Sequence, residues 1–143
     1  MSIRWTDDLA AIDWGELSAL YRVAPLGDKP PADLKRVFGN SMFRTFVFDG
    51  ARLVGAGRVL ADGRDCACLC DIAVLPSHRR FGLGKAIVGR LVELSHGHRK
   101  IILYSVPGTE CFYEAFGFRR MTTAMAIFED QADAFVRGYL SGA

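Results

Sequence analysis

The stretch from Cys66 to Leu94 constrains the fold more than any other part of this chain. It begins with an apolar run, CACLCDIAVLP, which is typical of a central β-strand covered on both faces. It ends with Leu83, Ile87 and Leu91 at helical spacing. Between the two lies SHRRFGLGK, a short loop with two arginines and two glycines. The stretch therefore predicts a strand–loop–helix unit in a sheet that has a helix packed on it.

The loop matches neither of two common nucleotide-binding motifs. A Walker loop requires G-x-x-x-x-G-K-[ST], but Arg79 occupies the first glycine position and Ala86 follows Lys85. The dinucleotide fingerprint requires a third glycine three residues beyond Gly84, where this chain has Ile87. Both motifs are excluded.

The loop nevertheless has the features of an anion site. The first N–H groups of a helix have no partner within the helix and carry partial positive charge. Gly82 and Gly84 allow a ligand to approach these groups, and Arg79 and Arg80 add charge-assisted hydrogen bonds suited to phosphate. A pyrophosphate satisfies all of these groups at once. The alternative is an ordinary helix start with turn glycines and two solvated arginines.

The chain before this unit predicts a short strand in SIRW, two helices and a hairpin. Asp13 followed by Glu16 resembles a helix cap, and Pro31 suits the first turn of a second helix. Asp49 and Gly50 lie between two alternating apolar segments, which is a strong hairpin signal. A second turn at ADGRD leads into the central strand.

After the long helix, the sequence predicts a strand in KIILYSV, a short helix around TECFYEAF, a strand in TAMAIF and a closing helix. The order is β-α-α-β-β-β-α-β-α-β and a final helix, which indicates an α+β (mixed α/β) fold. Ala132, Phe135, Val136 and Tyr139 share one side of the closing helix. That apolar stripe must be covered by the domain or by a second copy, so a homodimer is a possible assembly.

Composition limits the class of protein. At 143 residues, half of them hydrophobic, the chain is the size of a single domain, 1–143. A formal net charge of +2 gives no strongly basic field, so we expect neither nucleic acid nor an anionic membrane as a partner. No apolar run is long enough to span a bilayer, and the N-terminus does not resemble a signal peptide. We expect a cytoplasmic protein.

Three of the four cysteines, Cys66, Cys68 and Cys70, alternate along the predicted central strand and so share one face. A structural zinc site usually combines two C-x(2–4)-C pairs or adds histidines at set spacing, and only Cys111 remains. Reduced thiols in the core are the favoured interpretation, and we expect no metal.

Two strings of this chain resemble motifs of the GNAT (Gcn5-related) N-acetyltransferase family. DIAVLPSHRRFGLGKAIV, residues 71–88, resembles the family's acetyl-CoA-binding motif, [RQ]-x-x-G-x-[GA] after a strand that ends in V-x-P. FYEAFGF, from Phe112 to Phe118, resembles the later motif F-Y-x-x-x-G-F. The resemblance implies a GNAT-like fold with a central, mixed, mostly antiparallel twisted sheet of six to seven strands and four to five helices.

The resemblance also implies a coenzyme site. Backbone N–H groups of the loop hold the pyrophosphate of acetyl-CoA, and the pantetheine arm pairs with the central strand like an extra strand. Phe112 and Tyr113 come from the second motif. The implied coenzyme-binding residues are Ile72, Ala73, Val74, Arg79, Arg80, Phe81, Gly82, Leu83, Gly84, Lys85, Phe112 and Tyr113.

Tyr113 and Asp71 are the candidate catalytic residues. Tyr113 matches the family's tyrosine beside the coenzyme sulfur, where its hydroxyl hydrogen-bonds the departing thiolate; the alternative is a core tyrosine with a surface hydroxyl. Asp71 is the best local base for the amine proton; the alternative is a carboxylate paired with Arg58. Strict alternation places Asp71 on the same strand face as Leu69 and Ala73. A backbone N–H near Ala73 or Val74 is expected to stabilise the developing oxyanion.

The resemblance implies transfer of an acetyl group from acetyl-CoA to a primary amine of a small molecule, by direct attack in a ternary complex. Asn40-Ser41, GAGRVLADG and DIAV loosely resemble the branch that includes plant and cyanobacterial arylalkylamine acetyltransferases. Tyr21, Phe38 and Phe43 either line a slot for an aromatic amine or belong to the core. The alternatives are a non-catalytic acetyl-CoA-binding module and a protein-lysine acetyltransferase.

Overall fold

Five β-strands form one sheet in the structure, a computed structural model that describes residues 1–142. The strands lie across the sheet in the order of the sequence, antiparallel from β1 to β4, with β5 parallel to β4. Their bounds are β1 Ile3–Thr6, β2 Phe43–Asp49, β3 Arg52–Ala61, β4 Cys66–Val74 and β5 Lys100–Leu103.

Five α-helices and two short 3₁₀ helices connect or flank these strands. The α-helices are α1 Trp14–Val23, α2 Pro31–Gly39, α3 Leu83–Leu94, α4 Glu110–Glu114 and α5 Gln131–Val136. The 3₁₀ helices are Leu9–Ala11 and Pro76–Phe81. None of the helices within residues 1–142 is long and apolar enough to cross a membrane.

The predicted local signals explain where the N-terminal elements begin. The Asp13 carboxylate accepts hydrogen bonds from the N–H groups of Gly15 and Glu16, which caps α1. Glu16 does not complete a capping box, because its carboxylate instead accepts the N–H of Leu53 on β3. Pro31 opens α2, and Gly50 turns the β2–β3 hairpin with a φ of 59°.

The sheet lies between two layers of helix, with α3 packed on one face and α1 and α2 on the other. A Cβ built at Gly57 on β3 lies 2.9 Å from Leu91 Cδ1 and 3.0 Å from Ile87 Cγ2 of α3. Tyr21 of α1 and Phe38 of α2 are fully buried, and the rings of Phe38 and Phe46 stack at 5.2 Å. Tyr21 and Phe38 are therefore core residues, which answers the question of an aromatic slot for these two positions.

Two compact units make up the described chain, Met1–Leu103 and the residues from Tyr104 onward. The first unit holds the whole sheet, and the second holds α4 and α5. The expectation of one domain over 1–143 stays a prediction.

The sheet has five strands among the described residues, not six to seven. The strand predicted in TAMAIF is wrong, because residues 123–128 form no strand, and Met125 and Ile127 are 97% and 95% exposed. An alternating apolar pattern forms a strand only where a neighbouring strand supplies hydrogen bonds. The closing helix is also short, and of its residues Ala134 is buried while Phe135 and Val136 are exposed.

Candidate functional site

The predicted anion loop forms the junction between β4 and α3. After β4 the chain makes a 3₁₀ helix, Pro76–Phe81, and then passes through Gly82, which has φ 71° and ψ 15°. Residues with a Cβ rarely adopt this left-handed conformation. Apart from the two chain neighbours of Gly82, no atom of residues 1–142 lies within 4 Å of a Cβ built there, so the glycine is required by the backbone turn and not by crowding.

The first turn of α3 presents free backbone donors. The first hydrogen bond within this helix runs from the N–H of Ala86 to the carbonyl of Gly82. The N–H groups of Leu83, Gly84 and Lys85 therefore precede the helical ladder, and no side chain caps this end of α3. Those three amides and the helix dipole favour an anion here.

The side chains around this turn divide into exposed and buried groups. Arg80, Lys85 and Phe81 are exposed, whereas the side chain of Leu83 is buried and leaves only its backbone for a ligand. The Arg79 guanidinium is exposed but donates a hydrogen bond to the carbonyl of Ala24 at the end of α1. Arg80 and Lys85 thus offer the loop's more available positive charge.

His78 anchors the loop from beneath, which the sequence did not predict. Its buried imidazole lies with Nε2 2.9 Å from Oδ2 of Asp49 and with Nδ1 2.8 Å from Oγ of Ser77. The other carboxylate oxygen of Asp49 accepts the N–H of Ser2. The loop is therefore tied to the end of β2 and to the N-terminus. A lone histidine between a serine and two arginines gives no sequence signal for this contact.

The end of β4 offers a backbone edge next to the loop. The pairing of β4 with β5 ends at Leu69 and Leu103, whereas β4 continues to Val74. Ile72, Ala73 and Val74 therefore extend past the parallel partner strand, and on the other side they run beside β3, where Ala73 pairs with Ala56. An extended ligand can add to a strand at such an edge through main-chain hydrogen bonds.

Asp71 is the extra residue of a β-bulge. On β3, Ala56 pairs with Ala73 and Arg58 pairs with Cys70, so one residue of β3 faces two of β4. Asp71 has a φ of 55° and is the only residue other than glycine with positive φ among residues 1–142. The prediction that it shares a face with Leu69 is wrong, because the bulge turns its side chain toward Arg58, which is the cross-strand partner of Cys70.

The Asp71 carboxylate is paired with two cations. Arg58 Nε donates to Oδ2 at 2.7 Å, and Lys29 Nζ lies 3.3 Å from Oδ1. Burial opposes the charge of Arg58, but its hydrogen bond with Asp71 and the charge of that carboxylate offset this, so the pKa of Arg58 lies above its usual value. The Tyr21 hydroxyl donates to the carbonyl of Asp71 at 2.6 Å, and burial raises the pKa of Tyr21. The arginine pairing considered from the sequence is thus present.

Phe112 and Tyr113 lie on α4 in the second unit. Tyr113 packs edge-on against Phe112 and Phe118, with ring centroids 5.0 and 6.2 Å away, and Phe116 contacts Phe112. Burial raises the pKa of Tyr113 above its usual value. Its hydroxyl is therefore protonated at neutral pH, as a hydrogen-bond donor must be.

All four cysteines are free, and among residues 1–142 no group of three or more histidines, cysteines or acidic residues is arranged to hold a metal ion. Cys70 is buried, Cys66 and Cys68 are half-buried, and Cys111 is exposed.

A family model described as an acetyltransferase (GNAT) domain matches residues 42–120. This range contains the bulge, the loop, α3 and the Phe112–Phe118 string.

Characterised and uncharacterised relatives share parts of the chain. A protein described as an uncharacterised ycf52-like N-acetyltransferase from Prochlorococcus marinus is 26% identical over 75% of this chain and 63% of its own length. Glucosamine 6-phosphate N-acetyltransferase of Trypanosoma brucei brucei is 38% identical over 48% of this chain and 52% of its own. A chloroplastic GCN5-related N-acetyltransferase 1 of Arabidopsis thaliana is 41% identical over 47% and 35%. The matches thus span from about a third to under two thirds of these relatives.

Solved structures show the same fold at lower identity. A probable acetyltransferase from Staphylococcus aureus has a TM-score of 0.78 and 23% identity, covering 88% of this chain and 97% of that one. An acetyltransferase of the GNAT family from Xanthomonas campestris, described as putative, has a TM-score of 0.74 and 24% identity, covering 90% and 94%. These likenesses show the mixed α+β fold expected from the sequence.

Proposed function

Because this chain belongs to the GNAT acetyltransferase family, we propose that it is an acyltransferase that moves the acetyl group of acetyl-CoA to a primary amine of a small molecule. The observation that carries this proposal is the uncapped start of α3 at left-handed Gly82, directly after a strand edge that extends past its partner. The start of α3 suits a pyrophosphate, and the edge of β4 suits an extended arm that contains amide groups.

The loop would bind the coenzyme through the N–H groups of Leu83, Gly84 and Lys85, with Arg80 and Lys85 adding charge. Arg79, held at the end of α1, and Phe81 complete the proposed pyrophosphate site. These residues fit a diphosphate because the donors converge without an acidic side chain among residues 76–85.

The edge of β4 would orient the thioester. Ile72, Ala73 and Val74 offer main-chain groups for the pantetheine arm, and an N–H near Ala73 would stabilise the oxyanion. Acetyl-CoA supplies an activated acetyl group, whose carbon–sulfur bond breaks as the amine nitrogen bonds to the carbonyl carbon. The bulge at Asp71 interrupts the regular ladder between β3 and β4 beside this edge.

Tyr113 would donate a hydrogen bond to the departing sulfur. Its raised pKa supports a neutral donor. A usual thiol pKa near 8.5 and tyrosine pKa near 10 already make full proton transfer to the thiolate uphill by about 2 kcal/mol, and burial adds to this. The hydroxyl therefore acts mainly as a hydrogen-bond donor, and the proton passes late.

The amine must lose a proton before it attacks, and two routes are open. Asp71 accepts the proton directly, or a chain of water molecules carries it away. Both carboxylate oxygens of Asp71 face cations, so the direct route requires one ion pair to open. A pH–rate profile of Asp71→Asn separates the routes: loss of the limb on the acid side of the profile assigns the proton to Asp71, and an unchanged profile assigns it to water.

The main test is thiol release from acetyl-CoA across a panel of acceptors. The panel includes arylalkylamines, glucosamine 6-phosphate, which occurs in the name of one relative, and a lysine-containing peptide as the protein-type acceptor. Release with a small amine supports the proposal, and release with the peptide alone assigns the chain to protein-lysine acetylation. Tight coenzyme binding without turnover on any acceptor assigns it to the non-catalytic binding modules.

We also propose a cytoplasmic location and a homodimer. Four free thiols suit a reducing compartment. The side chains of Phe135 and Val136 on α5 are apolar and exposed. Such a surface supports a dimer in which a second copy of the chain covers it. Sedimentation at several concentrations tests the dimer, and a constant monomer mass contradicts it.

A further inference from the structure

Two sulfur atoms lie in contact on the central strand. Sγ of Cys68 and Sγ of Cys70 are 3.9 Å apart, because residues two apart on a strand share a face. Cys66 is on the same strand face at the same spacing from Cys68, but the described contacts join only Cys68 and Cys70 through sulfur. The strand therefore holds Cys68 and Cys70 as a pair of neighbouring thiols. Cys66, on the same face but without a sulfur contact, is a control for the reactivity of that pair.

A cation lies beside one of the two thiols. Arg58 is the cross-strand partner of Cys70, and its side chain is only 12% exposed. Cross-strand partners are the closest side-chain neighbours in an antiparallel pair. The hydrogen bond with Cys68 and the charge of Arg58 outweigh burial and the charge of the Asp71 carboxylate, which is paired with Arg58, and lower the pKa of Cys70 to about 7; the same hydrogen bond raises the pKa of Cys68. A thiolate is the reactive form of cysteine, and because Cys70 is only 6% exposed, its oxidants are limited to small molecules such as peroxides.

We propose that Cys68 and Cys70 form a dithiol that reacts with peroxides, Cys70 first, and closes to a disulfide that a thiol reductant reopens. The Cys70 thiolate bonds to one peroxide oxygen, the O–O bond breaks, and water or an alcohol leaves after protonation. The Cys68 sulfur then bonds to Cys70 Sγ, the S–O bond breaks and a second water leaves. The peroxide gains two electrons, and the two thiols lose them.

The disulfide strains the strand that holds it. Two residues of extended strand span about 6.6 Å, which exceeds the commonest Cα–Cα separation of a disulfide, about 5.5–6 Å, and is near its upper limit of about 6.8 Å. The bond therefore shortens β4 immediately before the bulge at Asp71 and the edge at Ile72–Val74. Strained disulfides are more easily reduced, which suits reversible oxidation. Resting on the proposed function, we expect oxidation to weaken acetyl-CoA binding.

The first experiment maps oxidation on the reduced, full-length wild-type chain treated with hydrogen peroxide. Trypsin cleavage after Arg64 and Arg79 releases residues 65–79 with three cysteines, and fragment spectra locate the bond. We expect a link between Cys68 and Cys70 that forms at least about tenfold faster than oxidation of Cys66 or Cys111. Oxidation of Cys66 or Cys111 at the rate of Cys70, or a Cys68–Cys66 link, overturns the proposal.

Two variants assign the order of the steps. Cys68→Ser should stop the reaction at a sulfenic acid on Cys70, which dimedone traps, and Cys66→Ser is the matched control that should behave like the wild type. A trapped sulfenic acid on Cys68 in Cys70→Ser, formed as fast as wild-type oxidation, overturns the order. The wild-type map stands without any variant, so a folding defect of a variant leaves the proposal testable.

Coenzyme A titrations of the reduced and oxidised wild type test the link to the site. We expect at least about tenfold weaker binding after oxidation and recovery with dithiothreitol. Equal binding in both states overturns the link. If the reduced protein does not bind coenzyme A, the proposed function fails, whereas the oxidation map still decides the dithiol proposal.

Discussion

His78 and Asp49 join the predicted coenzyme loop to the end of a β-strand, with imidazole Nε2 2.9 Å from carboxylate Oδ2. We predict that His78→Ala lowers the free energy of unfolding by about 1–3 kcal/mol and raises KM for acetyl-CoA more than it lowers kcat. The physical reason is that a displaced loop no longer aligns its amides, whereas the reacting groups stay in place. His96→Ala, at an exposed position after α3, is the control. A change in kcat alone contradicts this assignment.

The contact between His78 and Asp49 also makes the stability of the fold depend on pH. The hydrogen bond with His78, together with the N–H of Ser2, lowers the pKa of Asp49 from its usual 3.8. The stabilisation is therefore complete above pH 3.8 and is lost as the pH falls through the lower pKa of the folded state. We predict that Asp49→Asn loses stability at neutral pH and approaches the wild type in acid. Thermal unfolding between pH 2 and 7 measures this, and a constant difference contradicts it.

We predict that alanine substitutions at two glycines, one facing α3 and one within it, change the free energy of unfolding in opposite directions. Gly57→Ala places a Cβ 2.9 Å from Leu91 Cδ1 and 3.0 Å from Ile87 Cγ2, and we expect a loss of about 1–3 kcal/mol of unfolding free energy. Gly89 lies within α3, and apart from its chain neighbours and the helix's own backbone a Cβ built there meets no atom of residues 1–142 within 4 Å. We expect Gly89→Ala to raise the free energy of unfolding by about 0.5–1 kcal/mol. Urea denaturation of both variants measures the two changes. Similar stability in the two variants contradicts the packing of α3 on β3.

Tyr113→Phe isolates one hydroxyl. We predict a large fall in turnover, of about 10²-fold or more, with coenzyme affinity unchanged, because the hydroxyl bonds a sulfur that becomes charged only during the reaction. Steady-state rates and a separate coenzyme titration measure the two effects. Equal turnover in the two proteins removes Tyr113 from the mechanism.

The sequence was informative where the signal is local. Asp13, Pro31 and Gly50 each fix a turn or a helix start through their own backbone or side chain, and all three act as expected. The elements from β1 to β5 follow the predicted order for this reason. The Gly82 turn belongs to the same class, because its left-handed backbone is a property of one residue.

The sequence was misleading where a partner decides the outcome. The bulge moves Asp71 off the expected face because the register of β3 against β4 slips by one residue, which no feature of either strand alone reveals. The segment TAMAIF alternates like a strand but pairs with no strand among the described residues. The His78–Asp49 contact joins residues 29 apart in sequence and was invisible for the same reason.

The most direct measurement is calorimetric titration of coenzyme A into the wild type, Gly82→Val and Gly97→Val. Gly97 is the matched control, because it also has positive φ, 98°, and open space around it, but it follows the opposite end of α3. Binding by the wild type and Gly97→Val, with a loss of at least about tenfold for Gly82→Val, is the predicted result. Absent binding by the wild type, or equal binding by all three, contradicts a coenzyme site at the start of α3.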